Sequence, residues 1–429
     1  MVRSSRSLQF RLAPLDFSSR TGKSLLERAR RIAGDWTVRA VPRFERLFRL
    51  VSPFAPGLAF VGGQLSATPF DPATASSVRL SVGGTATSVA AALVSCLGEG
   101  LERSSQIERR GDAAPYRPAA RDRVGIDVTI ADWLRRSFGD VATSDRRLLD
   151  WRTVVEASTG RRSLVPADLC LRRSEGRRRL PLHWPLSIGC AAGATSDQAA
   201  SRAILELVER DAVALWWRGG RRGRPVAPDG PVARSSARLL GRLRRGQGSR
   251  STRLLDITTE LQIPTLAALS TEPDGRGLAV GFACRPSEVE AAKAAILEMA
   301  QDETAFALIG AKLAEGGSAA LDETDLRHLR RGEFDAAGSP LCIPAGRPRP
   351  WPGKPVGDAT ARDLASLLRS KGIEVWLNDL TRRDHGIAVV QAAAPRLQVY
   401  PCDLRSDRLL STIAIHGGGD QYCAGIEID

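Results

Sequence analysis

Apolar residues recur at helical spacing in three stretches of this chain, and each stretch has acidic residues set inside it. Between residues 86 and 104, Val89, Leu93, Leu97 and Leu101 return every four positions, which predicts a helix. A second helix is expected over residues 196–217, entered from a loop that contains Gly189 and Gly193. Thr195 or Ser196 suits its N-cap, and Asp197 places a negative charge in its first turn. A third is expected over residues 287–314, after Arg285-Pro286. Strand-like runs lie at 163–171 (broken by Pro166), 253–257, 265–270 and 278–284. A helix at 360–371 and strands at 374–380 and 387–392 follow. This alternation predicts an α+β, or mixed α/β, fold with helices packed on sheet. Residues 1–78 are weakly patterned and read as a loop-rich N-terminal region suited to partner or peptide docking, with a second domain over 79–429. Residues 105–131 read as polar and exposed, and 316–353, rich in Arg, Gly and Pro, as a loop or lid.

The acidic residues repeat a spacing. Glu99-x-x-Glu102-Arg103 and Glu206-x-x-Glu209-Arg210 each follow a glycine-rich approach, a hint of internal duplication, and the third helix adds Glu298-x-x-Gln301. Residues three apart share a helix face. Glu206 stands within Ala203-Ile204-Leu205-Glu206-Leu207-Val208, apolar almost all round, as in a buried helix. On any one helix the same spacing serves as a surface ion-pair pattern. On three it favours a shared site, because unpaired carboxylates in a dry interior cost several kcal/mol each. Arg103 and Arg210 can neutralise two of the five glutamates. Mg²⁺, which takes hard oxygen ligands and commonly sits between carboxylates and nucleotide phosphates, would neutralise more.

Composition narrows the partners. The net charge of +14 points to nucleic acid or an acidic partner. Only five of the 62 cationic residues are Lys, and the clusters at 172–179, 218–224 and 242–250 lack interleaved aromatics, which argues against nucleic acid. An acidic peptide fits the same field. No apolar run approaches the roughly 18 residues of a membrane span, so a soluble protein is expected. Seven scattered cysteines without a C-x-x-C pair argue against a disulfide framework or zinc site and suit a reducing cytoplasm. Among them only Cys190, in the glycine-rich approach, falls near the candidate chemistry, and a buried structural role is expected for it. The Arg- and Ser-rich start, residues 1–20, reads as an ordinary basic N-terminus rather than a transit peptide.

Taken together these blocks resemble the YcaO domain, a family of ATP-using enzymes that activate backbone amides. The resemblance covers roughly residues 80–400. It rests on Ser95-x-x-x-Glu99-x-x-Glu102-Arg103 and on Ser187-Ile-Gly-Cys-Ala-Ala-Gly-Ala-Thr195 leading into Glu206-x-x-Glu209-Arg210-Asp211. Leu255-Asp256-Ile257-Thr258, Glu298-x-x-Gln301 and Asp379-Leu380-Thr381 extend it. It implies a YcaO-type fold with an interhelical Mg-ATP site. Mg²⁺ would be held by Glu99, Glu102, Glu206, Glu209 and Glu298. The nucleotide would be held by the same glutamates with Ser95, Arg103, Gln198, Arg210 and Gln301. It further implies O-phosphorylation of a precursor-peptide amide, giving a thiazoline or oxazoline, or a thioamide if sulfide attacks. A ribosomally made precursor peptide, a separate leader-binding or sulfur-delivering protein and a homodimer are the partners it suggests.

Some positions depart from the family pattern. Gly84-Thr85-Ala86 replaces Gly-Lys-Gly, Ala194 replaces Asn, Gln198 stands for Glu, and Ala294 for an Arg. The Pro-rich ending of azoline-forming members is also not seen. These changes support a second expectation, a non-catalytic nucleotide-binding or docking subunit. Thr21-Gly22-Lys23-Ser24 is not a P-loop, since Phe17 occupies the position of the required glycine. The four histidines show no paired spacing. His416 before Gly417-Gly418-Gly419 reads as a turn, and Trp216-Trp217 as core.

Overall fold

The computed structural model describes residues 12–71, 77–115, 125–139, 149–180, 186–350, 359–399, 404–419 and 426–428. The first part comprises β1 (Leu12–Pro14), α1 (Arg20–Ala33), α2 (Trp36–Ala40), β2 (Arg46–Leu50), β3 (Ala59–Ala67), β4 (Val78–Ala86) and α3 (Val89–Ser105). Next come β5 (Ala114–Pro115), α4 (Val128–Phe138), β6 (Asp150–Glu156), β7 (Arg162–Pro166), β8 (Cys190–Gly193) and α5 (Ser196–Trp217). β9 (Arg224–Pro225), α6 (Pro231–Arg244), β10 (Ser251–Asp256), β11 (Thr265–Thr271), β12 (Ala279–Cys284), α7 (Glu288–Gly316) and α8 (Glu323–Gly332) follow. The last are α9 (Ala361–Ser370), β13 (Trp376–Asp379), β14 (Ala388–Ala393) and α10 (Asp407–His416).

The strands form three sheets, and every pairing between the described strands is antiparallel. Their orders are β1-β2-β3-β4, β12-β11-β10-β9 and β5-β6-β13-β14-β8, with β7 on β6. The fold is therefore α+β. Each carboxylate helix lies on a different sheet: α3 on β3 and β4, α5 on β8 and β14, α7 on β11 and β12. All three seats depend on glycine, that of α5 through Gly193, where a Cβ would fall 2.5 Å from the Ala199 nitrogen, and the other two in a common way. A Cβ on Gly84 would fall 2.3 Å from the Ala92 carbonyl oxygen and the Cys96 nitrogen, and one on Gly281 would fall 2.2 Å from the Ala295 oxygen and the Met299 nitrogen. Only a residue without a side chain lets helix and strand approach so closely.

This equivalence gives the fold an internal resemblance besides the E-x-x-E-R repeat. The hairpin β3–β4 with α3 matches the hairpin β11–β12 with α7, glycine for glycine. In each copy a carboxylate accepts the N–H of the residue before that glycine: Glu99 from Gly83 at 2.9 Å, Asp302 from Val280 at 2.9 Å.

Several elements depart from expectation for physical reasons. β3 and β4 pair in register from Ala59↔Ala86 to Ala67↔Val78, so the segments on either side of residue 78 share one sheet. Residues 12–71 hold two helices and three strands, and Leu25, Ala29 and Trp36 enter the same core as α3. Ser105 to Glu108 are buried rather than exposed, because Arg173 and Arg177 neutralise Glu108 at 3.0–3.1 Å. α6, α8 and α10 lie in stretches where no helix is expected. α8 opens with a capping box between Asp322 and Asp325 inside the expected loop, whose residues 351–353 lie outside the described ones. Thr21 to Ser24 form the first turns of α1. His416 is the last residue of α10, capped by Gly417 in the left-handed region. Trp216 and Trp217 are core residues, donating to the carbonyls of Leu341 and Ile426. Among the described residues, no helix is long and apolar enough to cross a membrane.

Candidate active site

The three carboxylate helices link the three sheets into a ring. α3, seated on its own sheet through Glu99, reaches β8, where Glu102 accepts the Ala192 backbone N–H. α5, on the sheet containing β8, reaches β12, where Glu209 accepts the Cys284 N–H at 3.0 Å. α7, held to β12 by Glu298 accepting the Phe282 N–H at 3.0 Å, reaches β4, where Gln301 accepts from the Thr85 hydroxyl at 3.1 Å. Every step of the ring uses one of the side chains singled out by their i, i+3 spacing. The apolar remainder of each helix explains why. α5 buries Ala199, Ala203, Ile204, Leu207, Val208 and Ala212 among others, so its polar side chains have few directions in which to emerge.

Charge is unevenly balanced around the ring. Burial pushes the Glu99 carboxyl above its usual range, against the pull of Arg103, whose guanidinium lies at 2.6 Å, and of the Gly83 N–H. Burial, then the negative charges of Glu206 and Glu99, push Glu102 well above it. The Cys190 thiol is buried in the same place and is raised by burial first and by Glu102 second. Glu209 is buried, with the Arg210 Nε at 3.7 Å. Arg202, bonded to the Ala192 carbonyl at 3.0 Å, has its pKa lowered by desolvation and then by the like charge of Arg285. Carboxylates thus crowd together at α3 and α5, with two mutually repelling guanidiniums beside them.

Not every expected site residue joins this arrangement. Ser95 and Gln198 are exposed, and among the described residues neither side chain makes a hydrogen bond; only the Gln198 backbone N–H is used, on the Thr195 hydroxyl. Asp211, part of the motif on α5, turns into the core, where it accepts from Arg408 at 2.7 and 3.0 Å and from the Gln398 N–H. Its role is to clasp α10. Sequence reasoning passed over Arg172, which donates to Gln106 at 2.9 Å and lies close enough to Glu102 and Arg103 to feel both charges. Its position directly after the apolar Leu169-Cys170-Leu171 was the signal that set it apart from a solvated charge run. Thr85, at one of the departures, takes part through its bond to Gln301.

Among the described residues, no three His, Cys, Asp or Glu side chains form a ready-made metal cage. Oxygen donors that repel one another without forming a closed cage still suit Mg²⁺, which needs only one or two carboxylates when phosphates supply further ligands.

A three-sheet α+β fold whose helices meet in a carboxylate-lined ring marks out a class of proteins, and comparison with known proteins identifies the class. Residues 83–398 match the sequence model of the YcaO cyclodehydratase family, described as ATP- and Mg²⁺-binding, and the chain belongs to that family. No curated protein sequence matches it. In structure it is similar to a heterocyclase in complex with substrate and cofactor (TM-score 0.64, 20% identity), covering 92% of this chain and 58% of that one. The chain therefore spans little more than half of that relative's length. It is also similar to YcaO from Methanopyrus kandleri bound with AMPPCP and Mg²⁺ (TM-score 0.59, 19% identity, 88% and 91% covered). A third likeness is to the E. coli microcin synthetase McbBCD complex (TM-score 0.54, 12% identity, 78% and 88% covered).

Proposed function

We propose that this chain uses Mg-ATP to phosphorylate the carbonyl oxygen of a backbone amide in a ribosomally made precursor peptide. The observation that carries this reading is the crowding of Glu102 by Glu206 and Glu99 within a ring of three helices. Such crowding costs stability in the protein alone and is relieved by a cationic ligand. Glu99, Glu102, Glu206, Glu209 and Glu298 are assigned to Mg²⁺. Bound there, Mg²⁺ would spread the charge of the phosphates during transfer. Arg103 and Arg210 offset the remaining carboxylate charge, and Arg202 with Arg285 offers an anion a place between two guanidiniums. Ser95, Gln198 and Gln301 complete the nucleotide site.

An amide oxygen leaves poorly, and a phosphorylated one leaves readily. A Cys, Ser or Thr side chain of the peptide adds to the amide carbon and loses its proton. The oxygen takes the γ-phosphoryl group, ADP departs, and expulsion of phosphate with loss of the amide N–H proton forms the C=N bond of a thiazoline or oxazoline. Azoline formation is the simpler outcome, because the substrate brings its own nucleophile; external sulfide would give a thioamide instead. The chain works in the cytoplasm, where its thiols stay reduced, beside a leader-binding or sulfur-delivering partner and as a homodimer.

The test is the purified chain with Mg-ATP and the peptide encoded beside it. Peptide-dependent phosphate release with a mass loss of about 18 Da means cyclodehydration, and a gain of about 16 Da means thioamidation. ATP binding without turnover of any peptide would instead support the docking subunit that the departures at Thr85, Ala194 and Ala294 suggest. Glu206→Gln is expected to abolish Mg-dependent nucleotide binding. Unchanged binding would sink the site assignment.

A further inference from the structure

A cavity of about 250 Å³ adjoins the α7 corner of the ring, and both Glu298 and Gln301 line it. Its apolar wall is made by Phe60 of β3, Val280 and Phe282 of β12, Ala305 and Leu308 of α7 and Ile428, and Asp302, Thr304 and His328 complete the lining. At roughly 30 Å³ per water molecule, this volume suits one large amino-acid side chain. It is open partly because Gly83 has no side chain. A Cβ there would stand 3.3 Å from the Phe60 ring and 3.6 Å from the Gln301 amide nitrogen, narrowing the gap between them.

Of the polar lining, Asp302, His328 and Thr304 are already satisfied. Asp302 takes Arg331 on both oxygens at 2.7 Å, His328 at 3.1 Å and the Val280 N–H at 2.9 Å. The other His328 nitrogen is engaged by the Thr324 carbonyl at 2.9 Å, and the Thr304 hydroxyl by the Ala300 carbonyl at 2.9 Å. Away from Glu298 and Gln301, a polar occupant such as a nucleobase would find almost nothing to bond and would lose its own hydration. An apolar occupant loses nothing and gains the walls of Phe60, Phe282 and Leu308.

We infer that this cavity receives an apolar side chain of the peptide residue next to the activated amide, and so sets which sequences are modified. The inference rests on the nucleotide reading of Glu298 and Gln301. If phosphates are held at that corner, the reacting amide oxygen meets them there, and the neighbouring side chain falls within reach of the cavity, consecutive Cα atoms being about 3.8 Å apart.

Small amides test it directly. N-acetyl-L-leucinamide, N-acetyl-L-phenylalaninamide and N-acetylglycinamide are titrated by saturation-transfer NMR against the full chain with Mg-AMPPCP. The apolar amides should bind on the order of tenfold or more tighter than the glycine amide, the discrimination a hydrophobic pocket gives for a few methylenes. Ala305→Phe, which fills the cavity from α7, should bring the three within about twofold of each other while Mg-AMPPCP binds as before; that expected collapse is the loss of the methylene discrimination. Leu308→Ala, which enlarges it, should shift the preference toward the phenylalanine amide. Equal binding of all three amides by the wild type would overturn the inference, as would a preference that survives Ala305→Phe. Displacement of the bound amides by adenosine would overturn it too and make the cavity a base pocket. If Mg-AMPPCP itself does not bind the wild type, the nucleotide reading has failed instead.

Discussion

Replacing Glu102 with Gln should raise the melting temperature of the metal-free protein and at the same time remove its response to nucleotide. The carboxylate sits among Glu99, Glu206 and the Cys190 thiol, and its own hydrogen bond from the Ala192 N–H survives in the amide. Like charges at helical spacing cost a few tenths of a kcal/mol each, and more where water is excluded, so removing two such contacts is worth about 1 kcal/mol. An unfolding entropy of about 2.1 cal/mol/K per residue gives roughly 0.9 kcal/mol/K for this chain, hence a rise of about 1 K. Nucleotide at about 100 times its dissociation constant stabilises the wild type by about 2.7 kcal/mol, or about 3 K, and the variant should lose most of this. The effect has a pH signature. Because the folded carboxyl titrates above its unfolded value of 4.5, the wild type keeps its share of stability below that pH and loses it as pH rises through the folded value. The advantage of the variant is therefore present at neutral pH and closes as pH falls toward 4.5. Differential scanning fluorimetry with EDTA, then with Mg-AMPPCP, reads both effects. A variant that melts at or below the wild type at pH 7.5, or that keeps the full nucleotide shift, refutes the crowding argument.

Arg408→Ala leaves the wholly buried Asp211 without its guanidinium and should cost about 3–5 kcal/mol in chemical denaturation, with Asp211→Asn in the same chain recovering part of the loss. Gly281→Ala should dislodge α7, abolishing Mg-dependent nucleotide binding with a loss above about 4 kcal/mol. On the same helix Gly310→Ala meets no atom within 4 Å and should stabilise by about 0.5–1 kcal/mol. Burial raises the thiol pKa of Cys170 and Cys284 to about 12 and of Cys342 to about 11, and raises Cys96 and Cys190 as well. A colorimetric disulfide reagent at pH 8 should therefore leave these five unlabelled in the native protein and label them after denaturation.

The three site helices were legible because their apolar repeats are long and nearly uninterrupted, and α5 begins and ends where its cap and composition say. The i, i+3 glutamates were legible for the same reason: an acid inside such a repeat is conspicuous. What the residues could not disclose is which sheet each helix lies on. The ring is closed by bonds between residues far apart in the chain, Gln301 with Thr85 and Glu209 with Cys284. No local pattern encodes such pairs. α6 and α8 escaped notice because arginines dominate them and only a narrow stripe, such as Val232, Leu239 and Leu243, is buried. Asp211, which follows the glutamates in the same motif, was assigned no role from sequence, and the fold makes it a clasp for α10.

The ring also fixes an order of events during folding. The hairpins β3–β4 and β11–β12 and their helices α3 and α7 are near in sequence and can form early, whereas the β8–β14 pairing under α5 and the ring bonds join distant segments and must come late. Nucleotide binding then reports the last step of assembly. A chain that has its full secondary structure but has not docked its three units would bind none. Loosening any one sheet by a proteolytic nick should extinguish binding before circular dichroism registers a change.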